Sequence, residues 1–490
     1  MKPPDLSENL DHEIYRNIIL AADESKSLVY LVGGWVRNLI LHRPILDIDL
    51  LVYGPDYFLS SLHKRIPSTL ICLDKIRGIY RFALKKSGVT IDVTLRKKIE
   101  PLFQNLLERD FTINAMAIKG ADILKPNISI TDILIDPFNG RHDAQKGIIR
   151  MISKENFLND PLRLCRAFRF SSEFGFIINK KTLDFISENI CLIKKVAPER
   201  IHEEWIKIMN SSQAAIYIRK MKETGLLGQI FPEIIPMDGL DQGSKHKSTL
   251  WEHSWTTLFY LEEILNTPGK HLNPRLNEMV SYVKKKYKNQ IHCLKMAAIF
   301  HDIGKPKVKD IGKKGQVIFY GHQQTGGIVL KSRMEALRFS KAEIHLTIKL
   351  VQDHMRPLML SLAKKVSDKA RVNLFIHLGE TWQALLLLSI ADIFSTWTNR
   401  EMIEKYLDFL NSLFLFREKM EKQYRKGPLI TGEDLKQKLL FPPGPIMGRA
   451  LRSINQLFLC DKIKTKAEAF EIAKNFLHLA EKEKTEKDSA

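Results

Sequence analysis

Cysteine is scarce in this chain, and what there is does not pair. Five cysteines (Cys72, Cys165, Cys191, Cys293 and Cys460) are scattered over 490 residues. An odd number without Cys-x-x-Cys spacing argues against a disulfide framework or a zinc ribbon, and points to free thiols in a reducing cytoplasm. The opening MKPPDLSENLDHEI lacks the apolar core of a signal peptide. No apolar run approaches the roughly 20 residues of a membrane-spanning helix, and no basic amphipathic anchor stands out, so no membrane partner is expected. Internal repeats and long low-complexity tracts are missing too. Acidic residues are outnumbered: 56 Asp and Glu face 76 Lys and Arg, a formal net charge of +20. Such a chain is expected to meet a polyanion through salt-sensitive phosphate contacts. Its length suits several domains of about 150 residues each.

The most informative stretch is LVGGWVRNLILHRPILDIDLLV. In a strand alternate side chains point the same way, so Asp47 and Asp49 share one face while Ile48, Leu50 and Val52 take the other. Two carboxylates that close stay ionised only around something positive. A divalent cation such as Mg2+ suits them, and two such ions can clamp an in-line phosphoryl transfer. Upstream, Leu28 to Val32 reads as a short buried strand. Gly33-Gly34 turns the backbone with its amides exposed, and Trp35 to Leu41 starts a helix. A triphosphate fits amides at a helix N-terminus, with Arg37 adding charge. A lone Asp-x-Asp is more often a solvated pair, and a Gly-Gly pair more often a plain turn. Together, at this spacing and between apolar strands, they favour the metal reading.

Further stretches agree with it. VTIDVTL sets Asp92 on the polar side of an alternating strand, with Val89, Ile91 and Val93 inward. With GGWVRN–DID, ERDFTINAMAI, NDPLRLCRAFRF, APERIHEEW and IRKMKETGLLGQIFPEI, the first half of the chain resembles the class II tRNA nucleotidyltransferase and bacterial poly(A) polymerase family. The resemblance implies that Asp47 and Asp49 hold Mg2+. Asp92 would be the third carboxylate, orienting or deprotonating an RNA 3′-hydroxyl. It further implies a nucleotide site of Gly33, Gly34, Arg37, Arg109, Asp110, Asn114, Asp160, Arg163 and Arg166, in which Arg109 meets phosphates and Asp110 the ribose hydroxyl. A surface ion pair is the competing reading of Arg109 and Asp110. Asn38, Glu108 and Asn159 depart from the family pattern. Only a short run, Thr94 to Glu108, follows the Asp92 strand, where the family usually has a longer flexible loop. That tilts the expectation towards addition of the two C residues alone.

Base choice has a chemical rationale. Pro161 suits a first helical turn, so a helix is expected from there, with Asp160, Arg163 and Arg166 near one face. Cytosine and adenine pair an amino donor with a ring-nitrogen acceptor. A carboxylate beside a guanidinium offers the complement and opposes guanine and uracil. An Asp before Pro is also a ready helix N-cap, and spacing alone leaves both readings open. The family resemblance favours base reading.

A second constellation lies mid-chain: His253 in WEHSW, His301 and Asp302 in FHDIGKP, and Asp392 in SIADIF. Imidazole with carboxylate suits a divalent transition metal, and an open coordination position can activate water. The ordered set resembles the HD phosphohydrolase superfamily, which hydrolyses phosphate esters, including 2′,3′-cyclic ends. His322 and His354 resemble the extra histidines of HD domains with a second metal.

The expected architecture is α+β: a mixed-sheet nucleotidyltransferase head (1–145), a helical neck (146–240), a helical HD domain (241–400) and a small helical tail (401–490). Linkers are expected at Pro232–Lys247, Asn266–Pro274 and Gly427-Pro428. The tail carries LITGEDLKQKLLFPPGPIMGRAL, whose resemblance implies a cradle for the RNA elbow, and ends in a frayed EKEKTEKDSA. The expected activity is template-independent addition of C, A or both to a tRNA 3′ end from CTP and ATP. Poly(A) synthesis, HD hydrolysis as the main activity, and a non-catalytic RNA-binding protein are the alternatives. Oligomeric state is not legible.

Overall fold

The computed structural model describes residues 12–45, 47–84, 88–125, 129–242, 248–313, 315–425 and 427–488, with side chains as far as residue 478. The chain forms two compact units, Met1–Pro232 and Glu233–Ala490. Residues 1–11, on which most of the signal-peptide reading rests, lie outside the described residues, as do 243–247 of the first expected linker.

Alternating hydrophobicity builds the first unit around a seven-stranded sheet. Its strands are β1 (Leu28–Val32), β2 (Asp47–Tyr53), β3 (Ser68–Asp74), β4 (Ile79–Leu84), β5 (Thr90–Arg96), β6 (Ala117–Lys119) and β7 (Leu134–Ile135). Their spatial order is β3-β4-β5-β2-β1-β6-β7. Within the described part of this sheet only β2 and β5 pair in parallel, with Asp49 opposite Asp92; β4 lies antiparallel to β5, with Arg81 opposite Asp92. Ile48, Leu50, Val52, Ile91, Val93 and Leu95 bury one face against Ile14, Tyr15 and Ile18 of the His12–Glu24 helix, and Phe58 and Leu62 of Tyr57–Arg65. The period-2 expectation therefore holds. Past Asp49 the opposite face turns apolar as well, where Leu51 and Tyr53 pack with Leu106 and Ala117. The acidic groups of β2 are thus confined to its first three residues.

Among the described residues beyond 146 only two-residue strands remain (Ile148–Ile149, Ile177–Ile178, Asp310–Ile311 and Val317–Ile318), in keeping with the helical parts expected after the head. In the second unit the helices Leu250–Asn266, Ile291–Phe300, Lys341–Asp353 and Trp382–Thr396 pack on one another. Asn266–Pro274 contains a short helix, Pro268–His271, where an open linker was expected. Gly427 turns with φ +78° between Arg400–Tyr424 and Gly432–Leu439. The last helix runs to Asp488, so the expected fraying is not seen in the backbone there. The tail has its own core of Leu435, Phe441, Ala450, Ile454 and Phe458.

The expectation of no membrane-length apolar run needs correction. Residues Asp368–Thr396, mean hydropathy 1.4 in the most apolar window, are long and apolar enough to cross a bilayer by length and composition alone. They are interrupted by the turn Gly379–Thr381, and 72% of that window is buried. Trp382 to Ile393 is buried at every position, so its apolarity serves packing within the unit.

Candidate active site and metal centre

The turn after β1 is where the head site begins. Gly33 adopts φ +65°, which glycine tolerates best. A Cβ there would lie 3.0 Å from Arg109 Nη1 and 3.1 Å from Asp49 Oδ2. The Gly34 amide, expected to stand free for phosphate, instead donates to Asp49 Oδ2 at 2.9 Å. A half-buried carboxylate partly withdrawn from water gains from a fixed donor, so Asp49 has claimed the amide. Asp47 is exposed and accepts from Thr90 Oγ1 at 2.7 Å. Both oxygens of Asp92 are held by Arg81, through Nε and Nη2 at 2.7 Å each. Burial pushes the Asp49 carboxyl up, with the Asp92 charge adding to it against the pull of Arg109. An oxygen-only donor set with excess negative charge fits a hard divalent cation.

Arg37 is buried. Its Nη1 donates to Asn114 Oδ1 at 2.6 Å, and its guanidinium lies 4.7 Å from the centre of the Phe174 ring. Asn38 Oδ1 accepts from Arg37 Nε and Nη2, so this departure from the family pattern keeps the acceptor and drops the charge. Asp110 is saturated: Oδ1 accepts from the Phe111 amide and Asn114 Nδ2, and Oδ2 from Arg166 Nε and Nη2. Burial opposes its charge, yet Arg166 and Asn114 hold the carboxyl well below the usual range. A ribose hydroxyl would have to displace one of these donors.

Asp160 is not an N-cap here. The helix Arg163–Phe174 begins after Leu162, later than Pro161 suggested, and Asp160 ends the preceding helix. Its carboxylate is gripped by Arg200 at 3.0 and 3.1 Å. The Arg163 amide donates to the Asp160 carbonyl, while its guanidinium donates to the carbonyls of Glu108 and Arg109, which set its plane. All the expected head residues nevertheless line one cavity of about 430 Å3, with Asn38, Glu108, Arg169 and Phe170 beside them. Arg169 was not singled out from sequence, although it repeats the Arg163–Arg166 spacing. Its guanidinium stacks 3.6 Å from the Phe170 ring centre and donates to the buried Glu204. Arg81 and Arg200 carried no local signal.

The second site gathers six side chains from separate segments of unit 2. His253 and His301 bring their Nε2 atoms within 3.0 Å, and His322 and His354 within 3.4 Å. Asp302 lies between the pairs, Oδ2 at 3.2 Å from His301 and 3.4 Å from His253, Oδ1 at 3.2 Å from His322 and 3.7 Å from His354. Asp392 Oδ1 is 3.2 Å from His253. Nδ1 of His301, His322 and His354 donates to the carbonyls of Ala298, Phe319 and Val351. His253 Nδ1 reaches Ser395 Oγ, whose hydroxyl donates to the Asp392 carbonyl. The partners of Nδ1 therefore leave the Nε2 lone pairs facing inward, the arrangement that metal ligation requires. Burial opposes the charge on His253, but Asp302 and Asp392 push it up to about 9. Burial and the charge of His301 take His354 down to about 3. The donor set fits a divalent metal, and the histidines suit a transition ion.

Three family descriptions match successive parts of the chain: "Poly A polymerase head domain" over residues 29–150, "Probable RNA and SrmB-binding site of polymerase A" over 175–237, and "HD domain" over 250–396. A CC-adding tRNA nucleotidyltransferase of Thermus thermophilus is 27% identical over 446 residues, 89% of this chain and 91% of that protein. An A-adding tRNA nucleotidyltransferase of Deinococcus radiodurans is 26% identical over 90% and 93%. A CCA-adding enzyme of Thermotoga maritima, solved with tRNA, shares the fold at TM-score 0.63 and 21% identity, over 97% of each chain. Fold and site thus define an enzyme, a nucleotidyltransferase head followed by an HD domain, and both kinds of domain generally use divalent metals. More narrowly, the chain belongs to the tRNA nucleotidyltransferase and poly(A) polymerase family.

Proposed function

We propose that the head adds C, or C and A, to the 3′ end of a tRNA, using CTP or ATP and releasing pyrophosphate. The RNA 3′-oxygen bonds to the α-phosphorus while the bond to the β-phosphate oxygen breaks. The observation that carries this reading is the convergence of Gly33, Gly34, Asp47, Asp49, Asp92, Arg109, Asp160 and Arg163 on one cavity from distant parts of the chain.

Asp47 and Asp49, with Asp92 as third carboxylate, are the residues that would hold Mg2+. When bound, the ions supply charge stabilisation at the attacking and leaving oxygens. Arg109, against Gly33 and Asp49, faces the phosphates. Asp160 and Arg163 present an acceptor and a donor to the pairing edge of C or A. Asp92 orients the 3′-hydroxyl once its fork with Arg81 opens. We assign Asp110 the task of holding Arg166 and Asn114, since its acceptor positions are filled.

In the HD domain His253, His301, Asp302 and Asp392 would hold a divalent transition ion, and His322 and His354 with Asp302 a second. Phosphoester hydrolysis is the accompanying activity. The division into head 1–145, neck 146–240, HD domain 241–400 and RNA-binding tail 401–490 belongs to the same reading, as does a cytoplasmic location.

The deciding assay is incorporation on tRNA lacking its CCA end, with CTP alone, ATP alone and both. Residues 97–101 pass directly from β5 to the helix Leu102–Leu107. That short passage favours CC addition, seen as two C residues and no A. Full incorporation by Asp47→Ala would overturn the mechanism.

A further inference from the structure

Arg81 and Asp92 face each other across neighbouring antiparallel strands and so share one face of the sheet. The guanidinium meets the carboxylate through two parallel bonds of 2.7 Å, a fork that occupies both oxygens of Asp92. Asp47 and Asp49 are otherwise engaged, by the Thr90 hydroxyl and the Gly34 amide. The acid reserved for the 3′-hydroxyl is therefore the one whose two oxygens are both hydrogen-bonded to an internal cation. A divalent ion approaching Asp92 meets a fixed positive charge on the carboxylate it needs, and like charges in one site oppose each other. Arg81 can yield: its side chain is 41% exposed and that of Asp92 26%, so the long stem can swing to solvent without opening the core.

We infer that Arg81 is a positioning residue of the head. It holds Asp92 as a resident counter-ion and sets the divalent-ion concentration at which Asp92 joins Asp47 and Asp49. This rests on the proposed head site. A lysine would be a weaker competitor, because a single ammonium cannot fork onto both oxygens.

The test uses Mn2+ as probe, titrated calorimetrically into the full chain and its Asp49→Asn, Arg81→Gln and Arg81→Lys variants. The difference between the unaltered chain and D49N isolates the head, since the HD contribution is common to all. R81Q is expected to tighten the head's Mn2+ affinity about two- to fivefold, the scale of a half-exposed ion pair, with R81K between. Unchanged or weaker Mn2+ affinity in R81Q would overturn the role given to Arg81 while leaving the head site standing. Uptake by D49N equal to that of the unaltered chain would instead remove the head site itself. Should R81Q fail to fold, R81K carries the same two outcomes.

Discussion

Arg200 grips Asp160 with two hydrogen bonds, Nη1 to Oδ1 at 3.1 Å and Nη2 to Oδ2 at 3.0 Å. Each oxygen keeps a second lone pair, so the carboxylate still has an acceptor for an incoming base. Its direction is set from the helix Pro198–Met209, whereas Arg163 is set by the carbonyls of Glu108 and Arg109. Acceptor and donor are therefore held by different parts of unit 1. Arg200→Ala should lower kcat/KM for CTP roughly tenfold, the scale of one charge-assisted hydrogen bond of about 1.5 kcal/mol. Single-nucleotide incorporation with CTP and UTP measures it. A variant that keeps both efficiency and discrimination would sink the idea.

Arg163→Ala removes the donor itself, so discrimination among the four nucleotides should blur by more than in Arg200→Ala. Mn2+ uptake should stay unaltered, because Arg163 bonds to backbone carbonyls and not to Asp47, Asp49 or Asp92. Nucleotide competition assays beside calorimetry separate the two effects.

Metal content should divide between the units. His301→Ala with Asp302→Ala should lose the bound transition metal measured by plasma mass spectrometry, since both ends of Asp302 face histidines. Asp49→Asn should retain it and lose nucleotide incorporation by on the order of 10^2- to 10^3-fold, as expected when a preorganised electrostatic stabiliser is removed. Equal metal loss in both variants would contradict this division.

Asp110 predicts an acid sensitivity. Its carboxyl is held below the ordinary value in the folded chain. The stability it contributes is therefore complete above the unfolded value near about 3.9, and is lost as pH falls through the lower folded value. Asp110→Ala takes from Arg166 its doubly hydrogen-bonded partner, leaving Glu204 at 3.8 Å, and should cost roughly 3 kcal/mol at neutral pH. It should also flatten the fall in stability below about pH 4. Urea unfolding across that range tests both.

Thiol labelling of the native chain should separate its cysteines. Cys72 and Cys191 are exposed, whereas Cys165 and Cys293 are buried. Burial pushes the Cys293 thiol up to about 12 and that of Cys165 higher still. At neutral pH the first two should react within minutes and the last two only after unfolding, because the thiolate is the reactive form. Peptide mapping by mass spectrometry identifies the labelled sites.

Much of the head could be read locally. Asp47, Asp49 and Asp92 lie on polar strand faces because strand side chains alternate, and alternation is visible in any short segment. The HD cluster was readable as an ordered set of ligand types. Less legible were the partners. The Gly34 amide turned out to serve Asp49, and Asp160 to be bound by a residue forty positions away. Arg169 could have been found from its spacing, but its stacking on Phe170 could not.

The amino-acid order by itself determined which side chains carry charge, which faces of strands and helices are apolar, and which donor types each segment brings. Those properties depend on neighbours within a few residues. The tertiary structure alone decided that Arg81 stands opposite Asp92, that four donors saturate Asp110, and that four histidines meet around Asp302. Strand register and helix packing join residues tens of positions apart, and no local pattern encodes which of the possible pairings buries the core best.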